Sequence, residues 1–175
     1  KEAGERAISR LNPVDFASGA MPVVYDPRVG NSLLGHFVGA IAGAAIARKT
    51  SFLLEALDTQ VFDSAVNIID CPHRKRGLRS KAFDGKAELI KDIKHGVFIT
   101  ELIGMGVNPV TGDYSRGAGG FLIVDGEIGP PISEITIAGN LKDMFKSLIA
   151  ADDLEYRYSV NTPTLRTDSM TVAGG

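Results

Sequence analysis

The chain has 175 residues, enough for one domain with a sizeable core, and its 44% hydrophobic and 23% charged content is ordinary for a globular protein. A net charge of -2 gives the whole molecule no bulk attraction for nucleic acid or an anionic membrane. The lone cysteine, Cys71, excludes an internal disulfide framework and any multi-cysteine zinc or iron–sulfur site, and it fits a reducing, cytoplasmic setting.

The opening KEAGERAISRLNP has no apolar core and does not read as a signal peptide. Ala3, Ala7, Ile8 and Leu11 fit the last turns of an amphipathic helix stopped by Asn12-Pro13. Residues 1–12 are therefore expected to be the tail of a preceding N-terminal domain, and 13–175 the domain proper. MPVVY (21–25) predicts a strand. Asp26-Pro27 then supplies an N-cap and a first-turn proline for a helix running to about Ala47, closed by Arg48 and Lys49.

The apolar run 33–47 within that helix is short of the roughly 20 residues a membrane span requires. Apolar residues all round predict burial on every side, with Gly35, Gly39 and Gly43 letting another backbone approach closely. Shorter helices are expected at 52–57, at 87–96 with Gly96 as C-cap, and at 141–153 behind Asn140 as N-cap. VNIID (66–70) predicts a strand. From 97 onward β patterning dominates, including LEYRYSV (154–160) and the closing SMTVAGG. Asp125-Gly126 is a two-residue hairpin signal, and the glycines 117, 119 and 120 suggest a bulged strand entry. The fold class is α+β: a largely antiparallel β-sheet with one buried helix and two or more surface helices.

Chemistry is harder to find. His36 lies in LLGHFVGAIAGAAIA without the second histidine and the glutamate of a helical zinc site. Cys71 and His73 form a C-x-H pair with nothing nearby to complete four ligands, and His95 closes a charged helix. Ser115 sits in D-Y-S-R-G, where Asp113 takes the place of the glycine that a nucleophile elbow needs. Asp63, Asp70 and Asp84 pick out no catalytic pair. The basic stretch 73–86, with Arg74, Lys75 and Arg76, could bind phosphate, but it lacks an aromatic or helical framework and reads as a solvated loop.

Three stretches together, VVYDPRVGNSLLGHFVGAIAGAAIARKTSFL, ITELIGMGVNPVTGDYSRGAGGFLIVDGEI and PPISEITIAGNLKDM, resemble the C-terminal domain of the TldD/PmbA family, also called the modulator of DNA gyrase family. The closing TLRTDSMTVAGG matches too, and the likeness is to the PmbA, or TldE, branch. The resemblance implies a metallopeptidase system in which TldD-type and TldE-type subunits associate and cleave unfolded or precursor peptides. In the TldD branch a helix carries H-E-x-x-x-H, with a later cysteine as a further zinc ligand. His36 falls on the first histidine, Phe37 on the glutamate and Ile41 on the second histidine, while 158–163 (YSVNTP) holds no cysteine. His36 is thus expected at a lost ligand position, in a regular helix, with no catalytic or metal-binding residue in this chain.

The resemblance further implies zinc in a TldD-type partner, with this chain in a hetero-oligomer or a homodimer and extended peptide as substrate. It also implies that a family segment is missing between Gly85 and Lys86. Two other readings remain open. One is a peptidase with an unrecognised site around Ser115, His36 or Asp113. The other is a regulatory or binding protein acting on gyrase, topoisomerase or nucleic acid, supported only by the loop 73–86.

Overall fold

The computed structural model describes residues 2–69, 85–156 and 159–174. Cys71, His73, Asp70, Asp84 and most of the basic stretch lie outside these residues. Six strands are described: β1 (Gly19–Tyr25), β2 (His95–Ile103), β3 (Asp113–Val124), β4 (Glu127–Asn140), β5 (Ile149–Ala150) and β6 (Leu165–Ala173). The helices are α1 (Glu2–Ile8), α2 (Pro27–Ile41), α3 (Gly43–Ala47), α4 (Gly85–Ile90) and α5 (Leu141–Lys146).

The sheet runs β1-β2-β3-β4-β6, and β1 also pairs with β6, so five strands close into a barrel. Only β1–β2 is parallel, with Val23 opposite Val97 and Tyr25 opposite Ile99; the other pairs are antiparallel. The expected α+β class with a largely antiparallel sheet is what the chain adopts. Alternation along each strand decides the faces. Val23, Tyr25, Val97, Ile99, Tyr114 and Ile137 join the main core, whereas Val24, Phe98 and Ile123 face outward under Ile90 and Ile93. MPVVY is apolar throughout because β1 is covered on both sides.

The hairpin at Asp125-Gly126 forms as expected, with φ of 48° and 80°, the pair of positive angles a two-residue turn of this kind requires. Gly120 marks a bulge: a Cβ there would sit 2.0 Å from the Phe98 carbonyl oxygen, and the β3–β4 register shifts beside it. Asp26 caps α2 by accepting from the Arg28 N–H at 2.9 Å, and Asn140 caps α5 by accepting from the Lys142 N–H at 3.0 Å.

Several expected elements are different in the fold. The helix expected to reach Ala47 ends at Ile41, because Ala42 adopts an extended ψ of 131° before α3 begins. It is not buried on all sides. Gly30, Leu33 and Ala40 are buried, but Val38 and Ile41 are each 50% exposed, since a helix laid across a barrel mouth covers only one stripe. Among the described residues no atom lies within 4 Å of a Cβ built on Gly35, Gly39 or Gly43, so the glycine ladder does not receive a backbone from them.

Residues 52–57 form turns, not a helix: Ser51 Oγ accepts from the Leu53 N–H, and the Phe52 N–H donates to the Pro109 carbonyl. Residues 66–69 form no strand; the chain there follows a turn in which Asp63 Oδ1 accepts from the Ala65 N–H. The expected 87–96 helix stops at Ile90, because His95 and Gly96 are drawn into pairing with Val124 and Ile123. His95 therefore opens β2 and does not close a helix. α5 stops at Lys146 because Ile149 and Ala150 pair with Arg166 and Leu165. Residues 154–156, 159 and 160 are not strand; Asp153 instead accepts from the Thr164 N–H and hydroxyl at 2.7 and 2.6 Å, bending this segment back.

Phe145 is fully buried, stacked on Phe62 at 4.5 Å and flanked by Phe37 and Phe52. Phe145→Ala is expected to lower stability by about 3–5 kcal/mol, read from urea unfolding. Gly120→Ala is expected to destabilise as well, because no rotamer can move its Cβ away from the Phe98 carbonyl.

Candidate functional site

α2 starts directly after β1, and the Asp26 N–H donates to the Ile99 carbonyl at 2.9 Å, so the end of the parallel pair aims the helix across the barrel mouth. At about 100° per residue, the two flanks of α2 then face different surroundings.

On one flank, His36 meets the barrel interior. Its ring packs edge-on to Tyr114, with centroids 6.2 Å apart and planes at 76°. Tyr114 and Arg116 are two residues apart on β3 and pair with Gly139 and Ile137, so both belong to its inward face. His36 Nε2, Tyr114 Oη, Arg116 Nε and Thr167 Oγ1 are buried atoms without a hydrogen-bond partner. Deeper in, Tyr25 donates its hydroxyl to Met170 Sδ at 3.0 Å. Burial, and then the positive charge of Arg116, hold the His36 imidazole below its ordinary pKa, so it is neutral at pH 7. Burial pushes Tyr114 up to about 12 and Tyr25 well above the usual phenol range.

On the other flank, Phe37 packs edge-on against Phe62 at 4.9 Å and Phe145 at 6.2 Å. Leu33 and Leu34 line a cavity of about 280 Å³, whose opposite walls are Phe145, Leu148, Leu154 and Pro163. Thr162 lies against the first turn of α2, its Oγ1 3.0 Å from where a Gly30 Cβ would be. Asn161, Thr162 and Pro163, within the segment where the resemblance places a later cysteine, therefore line the same cavity as Leu33 and Leu34 of α2. β5 borders the cavity through Ala150, and among the described residues β6 is its only strand neighbour.

These surroundings do not suit zinc. His36 faces a guanidinium, Phe37 belongs to an aromatic cluster, and Ile41 lies roughly 140° away around a helix that stays regular until Ala42. Among the described residues, no three His, Cys, Asp or Glu side chains are placed to share a metal ion. Nor does β3 bring Ser115, His36 and Asp113 together. Ser115 and Asp113 are exposed on the outward face, while His36 contacts the inward one. Asp113 accepts from Thr111 Oγ1 at 2.6 Å and from Asn140 Nδ2 at 3.1 Å, bonds that lower its pKa and make it part of the loop.

Sequence reasoning singled out Ser115 and passed over its neighbours. The available signal was an arginine at an inward position of a strand, two residues from a tyrosine and two from Ala118. Because the His36 pKa is depressed in the folded chain, protonation favours unfolding: stability is kept above the ordinary imidazole range and eroded as pH falls through it. His36→Gln is expected to flatten the stability–pH curve in that window, and ring-proton NMR of the parent chain is expected to show His36 titrating below the ordinary imidazole range.

The domain family described as PmbA/TldA metallopeptidase C-terminal domain matches residues 18–87 and 85–174, two stretches that meet at 85–87. The chain is 32% identical over 225 residues to metalloprotease PmbA of Escherichia coli O157:H7, covering 99% of this chain and 50% of that protein. It is 32% identical over 227 residues to a metalloprotease PmbA homolog of Haemophilus influenzae, with the same coverage of both. The chain thus spans about half the length of these curated relatives. In fold it resembles a candidate modulator of DNA gyrase from Bacteroides thetaiotaomicron, with a TM-score of 0.89, 24% identity, and 99% of this chain and 51% of that one covered. It also resembles TldE of Thermococcus kodakarensis, with a TM-score of 0.69, 17% identity, and coverage of 97% and 55%. At these identities the two structures speak for the fold alone. With a sequence match over nearly its whole length, the chain is a PmbA-like member of the TldD/PmbA metallopeptidase family, built on that family's C-terminal domain.

Proposed function

We propose that this chain serves as the metal-free, PmbA/TldE-type subunit of a two-subunit metallopeptidase, holding unfolded or precursor peptide for a TldD-type partner that carries zinc. One observation carries this reading. The position where the zinc-bearing branch has its proton-accepting glutamate is Phe37, locked edge-on between Phe62 and Phe145. A phenyl ring cannot take a proton from water.

The groove beside Phe37 supports the peptide-holding half of the proposal. It is apolar, it runs along α2 and α5, and it is bordered by the two-residue strand β5, onto which an extended peptide can add through backbone hydrogen bonds. A carboxylate at position 37 would enter an aromatic cluster and lose its hydration, so this chain does not regain the motif by one substitution. No helix among the described residues is long and apolar enough to cross a membrane, and the lone cysteine fits a cytoplasmic setting. The junction at 85–87, where the two matched stretches meet, supports a family segment missing between Gly85 and Lys86. The loop 73–86, on which the nucleic-acid reading rests, lies almost wholly outside the described residues.

The test is metal analysis and casein-type hydrolysis, made on the chain alone and on the complex co-purified from its source cell. Substoichiometric zinc and no cleavage by the chain alone, with zinc and chelator-sensitive cleavage in the complex, are expected. Stoichiometric zinc held by this chain's own side chains would overturn the proposal. Leu34→Glu, which places a charge on the groove wall, is expected to weaken binding of a labelled unfolded peptide by about tenfold or more in fluorescence anisotropy, with the circular dichroism spectrum unchanged.

A further inference from the structure

The polar cluster under α2 has a composition that packing alone does not account for. Tyr114 is only 1% exposed and its hydroxyl faces that of Tyr25, while Arg116 Nε and His36 Nε2 are buried without a hydrogen-bond partner. Buried polar groups are nearly always paired, because leaving one unpaired costs its full desolvation. Among the described residues Arg116 forms no ion pair, and no carboxylate acts on His36, Tyr114 or Tyr25, whereas Arg116 acts on all three. The cluster is therefore rich in donors and poor in acceptors. A guanidinium fork with a phenol beside it is the donor set that a carboxylate accepts from in bidentate fashion.

His36 and Arg116 are each partly exposed, while Tyr114 forms a sealed floor. Gly39, one turn beyond His36, and Gly35, its neighbour, present no side chain, and no atom lies within 4 Å of a Cβ built on either. The chain at Gly106 runs close along β3: a Cβ there would fall 1.5 Å from the Ser115 carbonyl oxygen.

We propose that Arg116, Tyr114 and His36 form a carboxylate-binding site that takes the free C-terminus of a peptide. Arg116 supplies the forked donors and the charge, the Tyr114 hydroxyl supplies a third donor, and the neutral His36 ring closes the side toward solvent with its Nε2–H. The carboxylate site stands on the cluster itself; a peptide as the carrier of that carboxylate rests on the peptide-holding reading above.

The experiment uses the full chain and four probes: acetate, a short alanine peptide with a free C-terminus, its C-terminal amide, and an amidated peptide with one internal glutamate. Binding is read by calorimetry and by the His36 ring resonances. The free-acid peptide is expected to bind and shift His36, and the amide to bind about tenfold or more weakly, as loss of one charged hydrogen-bonding group implies. Arg116→Gln is expected to remove that preference. Tyr114→Phe removes only the hydroxyl, which faces that of Tyr25, so it is expected to change the melting temperature little while weakening the free-acid peptide. That variant serves if Arg116→Gln fails to fold.

Equal binding of acid and amide, or full binding by Tyr114→Phe, would overturn the site. An internal glutamate that binds as well as the free terminus would overturn the assignment to the C-terminus. If acetate shifts His36 and no peptide does, the carboxylate site stands and the peptide-holding reading falls.

Discussion

Pairing between β1 and β6 is the constraint on which the rest of the molecule depends. Residues 19–25 join residues 165–172 in an antiparallel ladder, and the same short strand carries β2 in parallel on its other edge. β1 is thus buried from both sides, with Val23, Val24 and Tyr25 inaccessible to solvent. α2 follows β1 after a single residue, so the position and slant of the helix across the barrel mouth are inherited from this strand. If the ladder shifted by one residue, Tyr25 and Val24 would exchange faces, and the floor beneath α2 would change with them.

Because α2 lies across the mouth, fifteen residues serve two unlike environments. Leu33 and Leu34 line an apolar groove and Phe37 packs on its aromatic wall of Phe62 and Phe145, while His36 faces a cluster of donors inside the barrel. A regular helix keeps these faces apart, which is why the resemblance-derived motif positions 36, 37 and 41 cannot act on one point here. The same separation gives the domain two surfaces of opposite character, one apolar and the other rich in hydrogen-bond donors.

Much of this was legible in the sequence wherever a local signal agreed with the tertiary context. Asp26-Pro27, Asn140 and Asp125-Gly126 each act through backbone groups within a few residues, and each does in the fold what its chemistry predicts. The failures share a cause. Gly96 reads as a helix cap until β3 offers it a partner, and Ile149-Ala150 reads as helix until β6 does. The α2 stripe reads as core because hydropathy cannot distinguish a helix buried on every side from one covering a barrel end. Ser115 drew attention as a nucleophile, whereas the strand's alternation turned Tyr114 and Arg116 inward. Choosing between those faces required knowing which side of β3 the barrel closes around.

The β1–β6 ladder has a consequence for how the chain reaches this state. Its two halves are separated by nearly the whole sequence, so the loop to be closed is long and the native contact order high. Until β6 has left the ribosome, the β1 and β4 edges it will cover stay open, with unpaired backbone groups beside apolar side chains. The nascent domain is then an incomplete cylinder with two adhesive rims, and it depends on rapid arrival of its last strand, or on a chaperone, to avoid joining rims with its neighbours.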